Sequence, residues 1–224
     1  MAIIKEHVYG GPSIGVYLSL NNKYLLYPSK VNPNLIQSIR AAQPDLSLIE
    51  TFIGGSSVVG SLTVMNSNGI LVPSTILDEE LVKLEDAMDK KYKIAEIEAE
   101  DNAFGNLVLC NDKGAIISPK LANVKQMIAK TLNVPVKIYE FAKSDLPGSC
   151  GLVNNHGVVV HPMISETEAE MVATTLGVEI DVSTINCGNP YLGGGGIVND
   201  FLGIFGRETT GPEIQRMTEI LHLE

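Results

Sequence analysis

Short apolar runs alternate along this chain with turns rich in glycine, asparagine and proline. A glycine is followed six residues later by an asparagine in five places: Gly15–Asn21, Gly60–Asn66, Gly105–Asn111, Gly148–Asn154 and Gly193–Asn199. Successive glycines of this set are 45, 45, 43 and 45 residues apart. A near-constant period of this length is the signature of a repeated supersecondary unit. We therefore predict five copies of one unit.

Within each copy, the hydrophobic pattern predicts two paired strands. The residue before the asparagine is always apolar, as expected for a buried strand that ends at a turn; these residues are Leu20, Met65, Cys110, Val153 and Val198. Turn-forming residues follow the asparagine, and a second apolar run comes next. Proline cannot continue a strand ladder, and it closes this run in the first four copies, at Pro28, Pro73, Pro119 and Pro162.

A helix and a third strand complete the predicted unit. In the fourth copy, Ser165 and Glu168 form a capping box at a helix start, and Gly177 ends that helix. In the second copy, Thr75 and Asp78 are predicted to open the helix in the same way. Apolar runs after the helices, such as 93–98 and 178–182, predict the third strand. The expected unit is strand, strand, helix, strand.

The fifth copy reaches residue 224 without a third strand, and the segment 2–8, AIIKEHV, belongs to no copy. We predict that this N-terminal segment supplies the missing strand and closes a ring, because closure removes exposed strand edges. The fold class is then α/β (α+β), a five-fold pseudosymmetric propeller. The predicted single domain spans 1–224, with repeats at about 14–57, 58–103, 104–146, 147–191 and 192–224 together with 1–9.

Four consecutive glycines, Gly193 to Gly196, have two interpretations. A glycine-rich loop can cradle a phosphate, but the known motifs need G-x-G-x-x-G between a strand and a helix, or a G-K-[ST] ending. Neither pattern occurs here. We predict instead that these glycines open the first strand of the fifth unit, where a backbone without Cβ atoms can pack closely against a neighbour.

Composition and charge narrow the function classes. The 224 residues are 45% hydrophobic and carry a formal charge of −10, so a folded protein without general affinity for nucleic acid is expected, and phosphate binding would require a local basic patch. Three widely spaced cysteines fit a reducing, cytoplasmic compartment and neither a disulfide framework nor a C-x-x-C zinc site. No apolar stretch approaches the ~18 residues of a membrane span, and no signal peptide is evident.

Several segments resemble the translation initiation factor 6 family of archaea and eukaryotes, which has the pentein fold. These segments are NGILVPS (68–74), FGNLVLCND (104–112), NNHGVVVHP (154–162) and IVNDFLGIFGRETTGPE (197–213), and the resemblance covers essentially the whole chain. It implies a factor that binds the large ribosomal subunit, prevents premature joining of the small subunit and assists large-subunit maturation. Eukaryotic members carry an extra C-terminal tail; this chain stops with the fifth predicted helix, which favours the archaeal type.

The resemblance also implies a docking surface. In the family, the neighbourhood of the repeat glycines contributes to contact with a large-subunit protein near the sarcin-ricin loop. By position, the candidate ribosome-binding residues are Gly60, Ser61, Gly105, Asn106, Ser149 and Gly194. The alternative is that these residues are simply strand starts. The partner is then mainly a ribosomal protein, with little direct contact to nucleic acid, and the factor is expected to be a monomer.

The five repeat asparagines, Asn21, Asn66, Asn111, Asn154 and Asn199, also leave two interpretations. Asparagine is a common turn former, which is the simpler explanation. If the turns point toward the ring axis, the side chains would instead surround a polar, water-filled centre and form a second candidate site.

An enzymatic alternative comes from other penteins, which modify guanidine groups with a nucleophilic cysteine, a histidine and carboxylates near the axis. Cys187 is the one serious candidate nucleophile, because Cys110 and Cys150 fall in strand or core slots. His156 on a turn and His161 before a proline are more typical of solvated or capping groups. We therefore expect no enzyme, no catalytic residues, no metal and no cofactor.

Overall fold

Residues 2–223 of the computed structural model form fifteen strands, ten α-helices and one 3₁₀ helix. In chain order they are β1 (Ala2–Glu6), α1 (Ile14–Tyr17), β2 (Ser19–Leu20), β3 (Tyr24–Tyr27), α2 (Pro33–Ala42), β4 (Ser47–Glu50), α3 (Val59–Leu62), β5 (Val64–Met65), β6 (Gly69–Pro73), α4 (Asp78–Ala87), β7 (Lys93–Ile97), α5 (Phe104–Leu107), β8 (Val108–Cys110), β9 (Ala115–Ile117), the 3₁₀ helix (Pro119–Val124), α6 (Lys125–Leu132), β10 (Val136–Ile138), α7 (Pro147–Cys150), β11 (Gly151–Val153), β12 (Gly157–Val160), α8 (Glu166–Leu176), β13 (Glu179–Val182), α9 (Leu192–Gly195), β14 (Gly196–Val198), β15 (Leu202–Gly206) and α10 (Gly211–Leu221).

These strands form five three-stranded sheets of one design. In the second sheet, β5 is antiparallel to β6, with Val64 opposite Leu71, and β7 is parallel to β6, with Ile70 opposite Ile94. The other four sheets repeat this order of directions. A parallel partner requires a crossover, which the long helix supplies in the first four units. The predicted five-fold architecture is confirmed.

One element of the unit differs from the prediction. Each first strand is preceded by a single helical turn, and the repeat glycine lies inside this turn rather than at the strand start. Of the four consecutive glycines, Gly193 to Gly195 belong to α9, and only Gly196 begins β14. The expectation that all four open the strand is wrong. The chain must reverse sharply between units here, and a turn closed by one backbone bond does so within four residues.

The long helices begin with two kinds of cap. Ser165 and Glu168 form the predicted capping box, in which the Ser165 N–H donates to the Glu168 carboxylate at 2.8 Å. The predicted pairing of Thr75 with Asp78 is wrong, because α4 begins at Asp78. The preceding Leu77 offers no side-chain acceptor, and its own N–H donates to Glu80 at 3.0 Å. The glutamate in the third helical position thus satisfies the exposed backbone donor.

The N-terminal segment closes the ring as predicted. Strand β1 pairs in parallel with β15 from Ala2 opposite Leu202 to Glu6 opposite Gly206. The fifth sheet, β1-β15-β14, therefore takes its third strand from the other end of the chain. Strand β15 therefore has a partner on each side, and the edge that it would otherwise expose is covered, as the prediction of closure required.

The hydrophobic core is divided into five clusters, and each cluster lies between two consecutive units. One cluster packs Tyr24, Leu26 and Ile53 of the first unit against Leu84 and Met88 of the second unit. Another packs Leu202 and Ile204 of the fifth sheet against residues of the first unit, including Ile14 and Leu35. Each unit therefore completes its apolar core with residues of a neighbouring unit. The ring needs both its covalent connections and its closure to complete all five clusters.

Candidate functional site

The five units place their equivalent parts at two opposite ends of the ring axis. First and second strands are antiparallel, so each helical turn lies beside the end of a second strand, and each asparagine turn lies at the other end. We call these ends the glycine face and the asparagine face. The long helices start at the glycine face and end at the asparagine face, where the Gln43 side chain that follows α2 donates to the Asn22 carbonyl at 2.9 Å.

At the glycine face, the repeat glycines Gly15, Gly60, Gly105, Gly148 and Gly193 form a closed ring of backbone contacts, which we call the glycine ring. A Cβ built on Gly105 would lie less than 3.0 Å from the Gly60 carbonyl oxygen, and a Cβ on Gly60 equally close to the Gly15 oxygen. The same holds at each remaining step, including the closing step from Gly15 to the Gly193 carbonyl. Only glycine allows this approach, so the period seen in the sequence is a steric requirement.

The candidate docking residues follow the ring glycines by one position. Ser61, Asn106, Ser149 and Gly194 are half-buried, as is Gly105, while Gly60 is buried. A Cβ built on Gly194 meets no atom within 4 Å, so this position opens outward from the ring. Within residues 2–223, the side chains of Ser61, Asn106 and Ser149 make no hydrogen bond. Their polar groups are therefore available at the glycine face.

Exposed apolar side chains lie around the candidate docking residues, on the connections at the glycine face. They occur on turns after third strands and at helix starts, and they are Tyr9, Phe52, Leu77, Met163 and Tyr191, each between 37% and 57% exposed. Tyr9 is held in place by a 2.6 Å hydrogen bond from its hydroxyl to the Ser29 carbonyl. Exposed apolar groups around one face of a protein are typical of interaction surfaces.

The glycine face is also acidic. Helix N-termini favour carboxylates, and all long helices start here. Exposed acids at this end include Glu50, Asp78, Glu79, Glu98, Glu100, Glu140, Glu166 and Glu208, whereas the exposed bases are Lys30, Lys120, Lys143 and Arg207. Lys120 is already paired with Asp101 at 3.4 Å and Asp145 at 3.1 Å. The face therefore presents a negative rim around a centre of small residues.

Buried glutamates fix the turns of this face. Glu213 accepts hydrogen bonds from the Gly188 N–H at 2.8 Å and the Thr184 hydroxyl at 2.7 Å, and also from the Thr210 N–H. Burial by itself raises the pKa of Glu213, but these hydrogen bonds outweigh it and lower the pKa to about 2. Glu80 binds the N–H groups of Gly54 and Gly55 in the same way. The glutamates hold these turns in a fixed conformation at neutral pH.

At the asparagine face, the five repeat asparagines form a closed ring of side-chain hydrogen bonds, which we call the asparagine ring. The Nδ2 atom of each donates to the main-chain carbonyl of the asparagine in the next unit, in the order Asn21, Asn66, Asn111, Asn154, Asn199 and back to Asn21, at 2.8 to 3.1 Å. All five residues are buried. The ring follows the whole circumference and crosses the joint between the fifth and first units.

Each asparagine amide in this ring uses its full hydrogen-bonding capacity. The second Nδ2 proton of Asn66, Asn111 and Asn154 goes to the last carbonyls of the next helix, for example Leu176 at 2.9 Å. In Asn21 and Asn199 it goes to the Tyr92 hydroxyl and the Gln43 amide oxygen. Each Oδ1 atom accepts two N–H groups of its own turn. The side chains do surround the axis, but their bonds indicate an architectural role.

A second polar ring lies one residue further along each turn, and sequence reasoning missed it. Its members are Asn22, Ser67, Asp112, Asn155 and Asp200. Asn155 donates to both Asp112 and Asp200 at 2.8 Å, and Asn22 donates to Asp200 at 2.6 Å. These residues, the asparagine ring and an apolar belt below it line an axial cavity of about 40 Å³. A cavity of this size accommodates a water molecule rather than a larger ligand.

The family follows from comparison with known proteins. Residues 3–220 match the model of the eIF-6 family. This chain belongs to the eIF-6 family. Translation initiation factor 6 of Methanocaldococcus jannaschii is 35% identical over 227 residues, which cover 99% of this chain and 98% of the relative. Eukaryotic translation initiation factor 6 of Candida albicans is 32% identical, covering 94% of this chain and 86% of the relative.

The names of these eIF-6 relatives support a role in translation initiation. Among solved structures, the agmatine deiminase of C. jejuni aligns with a TM-score of 0.38 and 13% identity, over 55% of this chain and 49% of that protein. The resemblance found in the sequence is therefore confirmed at the level of the family.

The three cysteines of this eIF-6 family member lie in different surroundings. Cys110 belongs to the apolar belt of the axial cavity, and burial together with Asp112 raises the pKa of its thiol to about 12. Cys150 is buried, and burial raises the pKa of its thiol too. Cys187 is exposed on a turn, where its N–H donates to Glu213 at 3.2 Å. It does not line the axial cavity, so it lies apart from the axis where the enzymatic alternative placed the nucleophile.

The two histidines considered in the enzymatic alternative also lie in different surroundings. His156 is exposed on its turn and stacks on His222, with ring centroids 5.7 Å apart. His161 is buried beside Tyr191, and burial lowers its pKa. Within residues 2–223, no three histidine, cysteine or acidic side chains come together as a metal-binding group. In the same part of the chain, no helix has the length and apolar character needed to span a membrane.

Proposed function

We propose that this chain is a cytoplasmic anti-association factor that binds the large ribosomal subunit through its glycine face and thereby blocks joining of the small subunit. Membership of the eIF-6 family over nearly the whole chain is the observation that carries the proposal. A role in large-subunit maturation belongs to the same proposal. The factor acts as a monomer, by occupying surface rather than by catalysis, and without a cofactor.

The glycine face suits docking on a basic ribosomal protein for three reasons. Its centre is made of small residues, so another backbone can approach closely. Its side chains at Ser61, Asn106 and Ser149 are not engaged within the described residues 2–223, so they can bond to a partner. Its rim is acidic with exposed aromatic residues, which complements a basic protein and disfavours bare RNA. In this proposal, the partner is the large-subunit protein near the sarcin-ricin loop.

The test replaces Asn106 by arginine. The residue is half-buried at the glycine face and its side chain is not needed for folding, so stability should stay within about 0.5 kcal/mol of wild type. Bulk and positive charge in the interface should weaken docking by about tenfold or more, which is about 1.4 kcal/mol. Co-sedimentation with isolated large subunits measures the binding, and light scattering of subunit joining measures the block.

Ser38→Arg is the matched control. Ser38 is exposed in the second half of α2, so its replacement adds the same charge away from the glycine face. We expect it to bind large subunits as wild type does. If Asn106→Arg binds as tightly as Ser38→Arg, the glycine face is not the docking surface. If the wild-type protein does not sediment with large subunits, the proposed function itself fails.

A further inference from the structure

We propose that the asparagine face carries a binding surface for the phosphodiester backbone of RNA, formed by two adjacent basic grooves. This surface lies at the opposite end of the ring from the proposed docking face and does not depend on it. The first groove is a concavity of about 410 Å³ that includes Lys23, Lys91 and Lys93. The second, of about 420 Å³, includes Lys113 and Lys137.

The two grooves are neighbours. Asn133, which follows α6, lines the first groove, and Pro135, two residues later, lines the second. They therefore lie on either side of one short connection, in the spaces between successive units. A flexible chain of nucleotides that follows the first groove reaches the second without leaving the face.

This surface is positively charged, whereas the protein as a whole is negatively charged. The whole chain has 26 acidic and 16 basic residues, yet among residues 2–223 Asp89 is the only carboxylate that lines either groove. Asp89 pairs with Lys23. The other four lysines of the grooves have no carboxylate within 4.0 Å among residues 2–223. Their positive charge is therefore not neutralised by the described part of the protein.

Some of these lysines also have a structural role, because cations are favoured near helix C-termini, which all lie at this face. Lys93 donates to the Lys130 carbonyl at 2.7 Å, and Lys113 donates to the Gly177 carbonyl at 3.1 Å and the Asn155 carbonyl at 2.9 Å. An ammonium group has three donors, so Lys93 keeps two and Lys113 keeps one. The structural bonds hold the lysines in the grooves and leave donors for a ligand.

The rest of the lining favours phosphate oxygens over other anions. Amide and hydroxyl groups accompany the lysines, including Asn68 and Asn133 in the first groove and Thr174 in the second. Lysine, serine, threonine and asparagine side chains are typical donors to nucleic-acid phosphates. A membrane surface would need exposed apolar groups for insertion, and neither groove is lined by an exposed large apolar side chain.

The test measures binding of a fluorescein-labelled oligouridine of about 20 nucleotides by fluorescence anisotropy, between about 50 and 200 mM KCl. The wild-type protein should bind at low salt, with affinity that falls as salt rises. The triple variant Lys91→Gln, Lys93→Gln, Lys137→Gln should bind at least about tenfold more weakly. Its salt dependence should fall by about 2 in log–log slope, since each lost phosphate contact on single strands contributes about 0.7.

A second triple variant, Lys5→Gln, Lys83→Gln, Lys143→Gln, removes the same charge from exposed positions outside the grooves and should bind within about twofold of wild type. Urea unfolding of both variants checks that the fold is kept. Equal loss in the two variants would show a net-charge effect and overturn the proposal, as would wild-type protein that shows no salt-dependent binding. Competition by polyglutamate as effective as by unlabelled RNA would identify an acidic protein as the ligand instead.

Discussion

The glycine ring and the asparagine ring close the same five units at opposite ends of one axis, and they do so by opposite means. In the glycine ring, the absence of a side chain lets each backbone meet the carbonyl of the preceding unit. In the asparagine ring, a side chain reaches the carbonyl of the next unit and satisfies the ends of three helices as well. One ring therefore tolerates no added atoms, and the other tolerates no lost donors.

This difference decides which end remains open to partners. Steric closure at the glycine face uses only backbone, so the next residue in each unit keeps a free side chain, as Asn106 does, or open space, as Gly194 does. Closure at the asparagine face consumes the side chains near the axis, so binding capacity there is displaced outward to the lysine-lined grooves. In this symmetric scaffold, some atoms of each repeat hold the ring together and other atoms of the same repeat are left for recognition.

The largest effect is expected where both rings cross the joint between the chain ends. Deletion of residues 2–9 removes β1, its five pairings with β15 and the packing of Ile3, Ile4 and Val8 in two core clusters. Since each core cluster takes residues from two units, the open ring should lose cooperative folding or aggregate through the exposed edge of β15. Urea unfolding and size-exclusion chromatography measure this. A truncated chain as stable as the intact one would mean that the two rings hold the fifth and first units together without β1.

Each position of the glycine ring should be sensitive to a single added methyl group. In Gly105→Ala, the new Cβ would lie less than 3.0 Å from the Gly60 carbonyl oxygen, which is backbone and cannot yield without moving a unit. We expect a loss of more than about 4 kcal/mol in the free energy of unfolding, or no folded protein. Gly194→Ala, in an equivalent helical turn but with open space around its Cβ, should change stability by less than about 0.5 kcal/mol.

Equal tolerance of the two alanines in urea unfolding would contradict the steric account. It would show that the units can separate enough to admit a methyl group, so that the glycine period reflects backbone flexibility instead.

The two rings were visible in the sequence because each requires one residue type at a fixed spacing. No other residue type can replace Gly105 or Asn111, so glycine and asparagine occupy these positions in all five copies. The closing strand β1 could be predicted because the fifth copy has no third strand of its own. The short turn around Gly105 could not be predicted, because four residues carry no helical periodicity. As a result, the placement of Asn106 within a helical turn at the glycine face required the structure.

Other features of the site could not be predicted from the sequence, because their residue types vary between copies or because they join residues that are distant in the chain. The second polar ring has the spacing of the asparagine ring, but its members are asparagine, serine or aspartate, so no single residue type marks it in the sequence. Glu213 binds the N–H of Gly188, which is 25 residues away in the chain. The basic grooves combine lysines from turns, strand starts and loops of different units. Contacts of this kind depend on which surfaces the fold brings together, not on local pattern.

Substitutions in the asparagine ring should lower the free energy of unfolding by less than Gly105→Ala does. Unlike the effect of Gly105→Ala, the effect of Asn111→Asp should depend on pH. Asn111 donates to the carbonyls of Asn154 at 3.1 Å and Leu176 at 2.9 Å and accepts from two N–H groups. In Asn111→Ala, these buried groups lose their partners, at a cost of about 3 kcal/mol. Asn111→Asp keeps the acceptors but places an unpaired buried carboxylate against two carbonyl oxygens, so its cost at neutral pH should be at least as large.

Protonation reverses part of that cost. Burial and the facing carbonyls raise the pKa of the introduced carboxyl in the folded state, so the folded form binds the proton more tightly than the unfolded form. The stability of Asn111→Asp relative to wild type should therefore rise as pH falls through the raised pKa toward the unfolded value of about 4. Urea unfolding at several pH values measures this, with Asn34→Asp on the exposed face of α2 as control. The Gly105→Ala deficit should not move with pH. A pH-independent loss in Asn111→Asp would mean that the side chain leaves the ring for solvent, and that the two rings do not close the units by different chemistry.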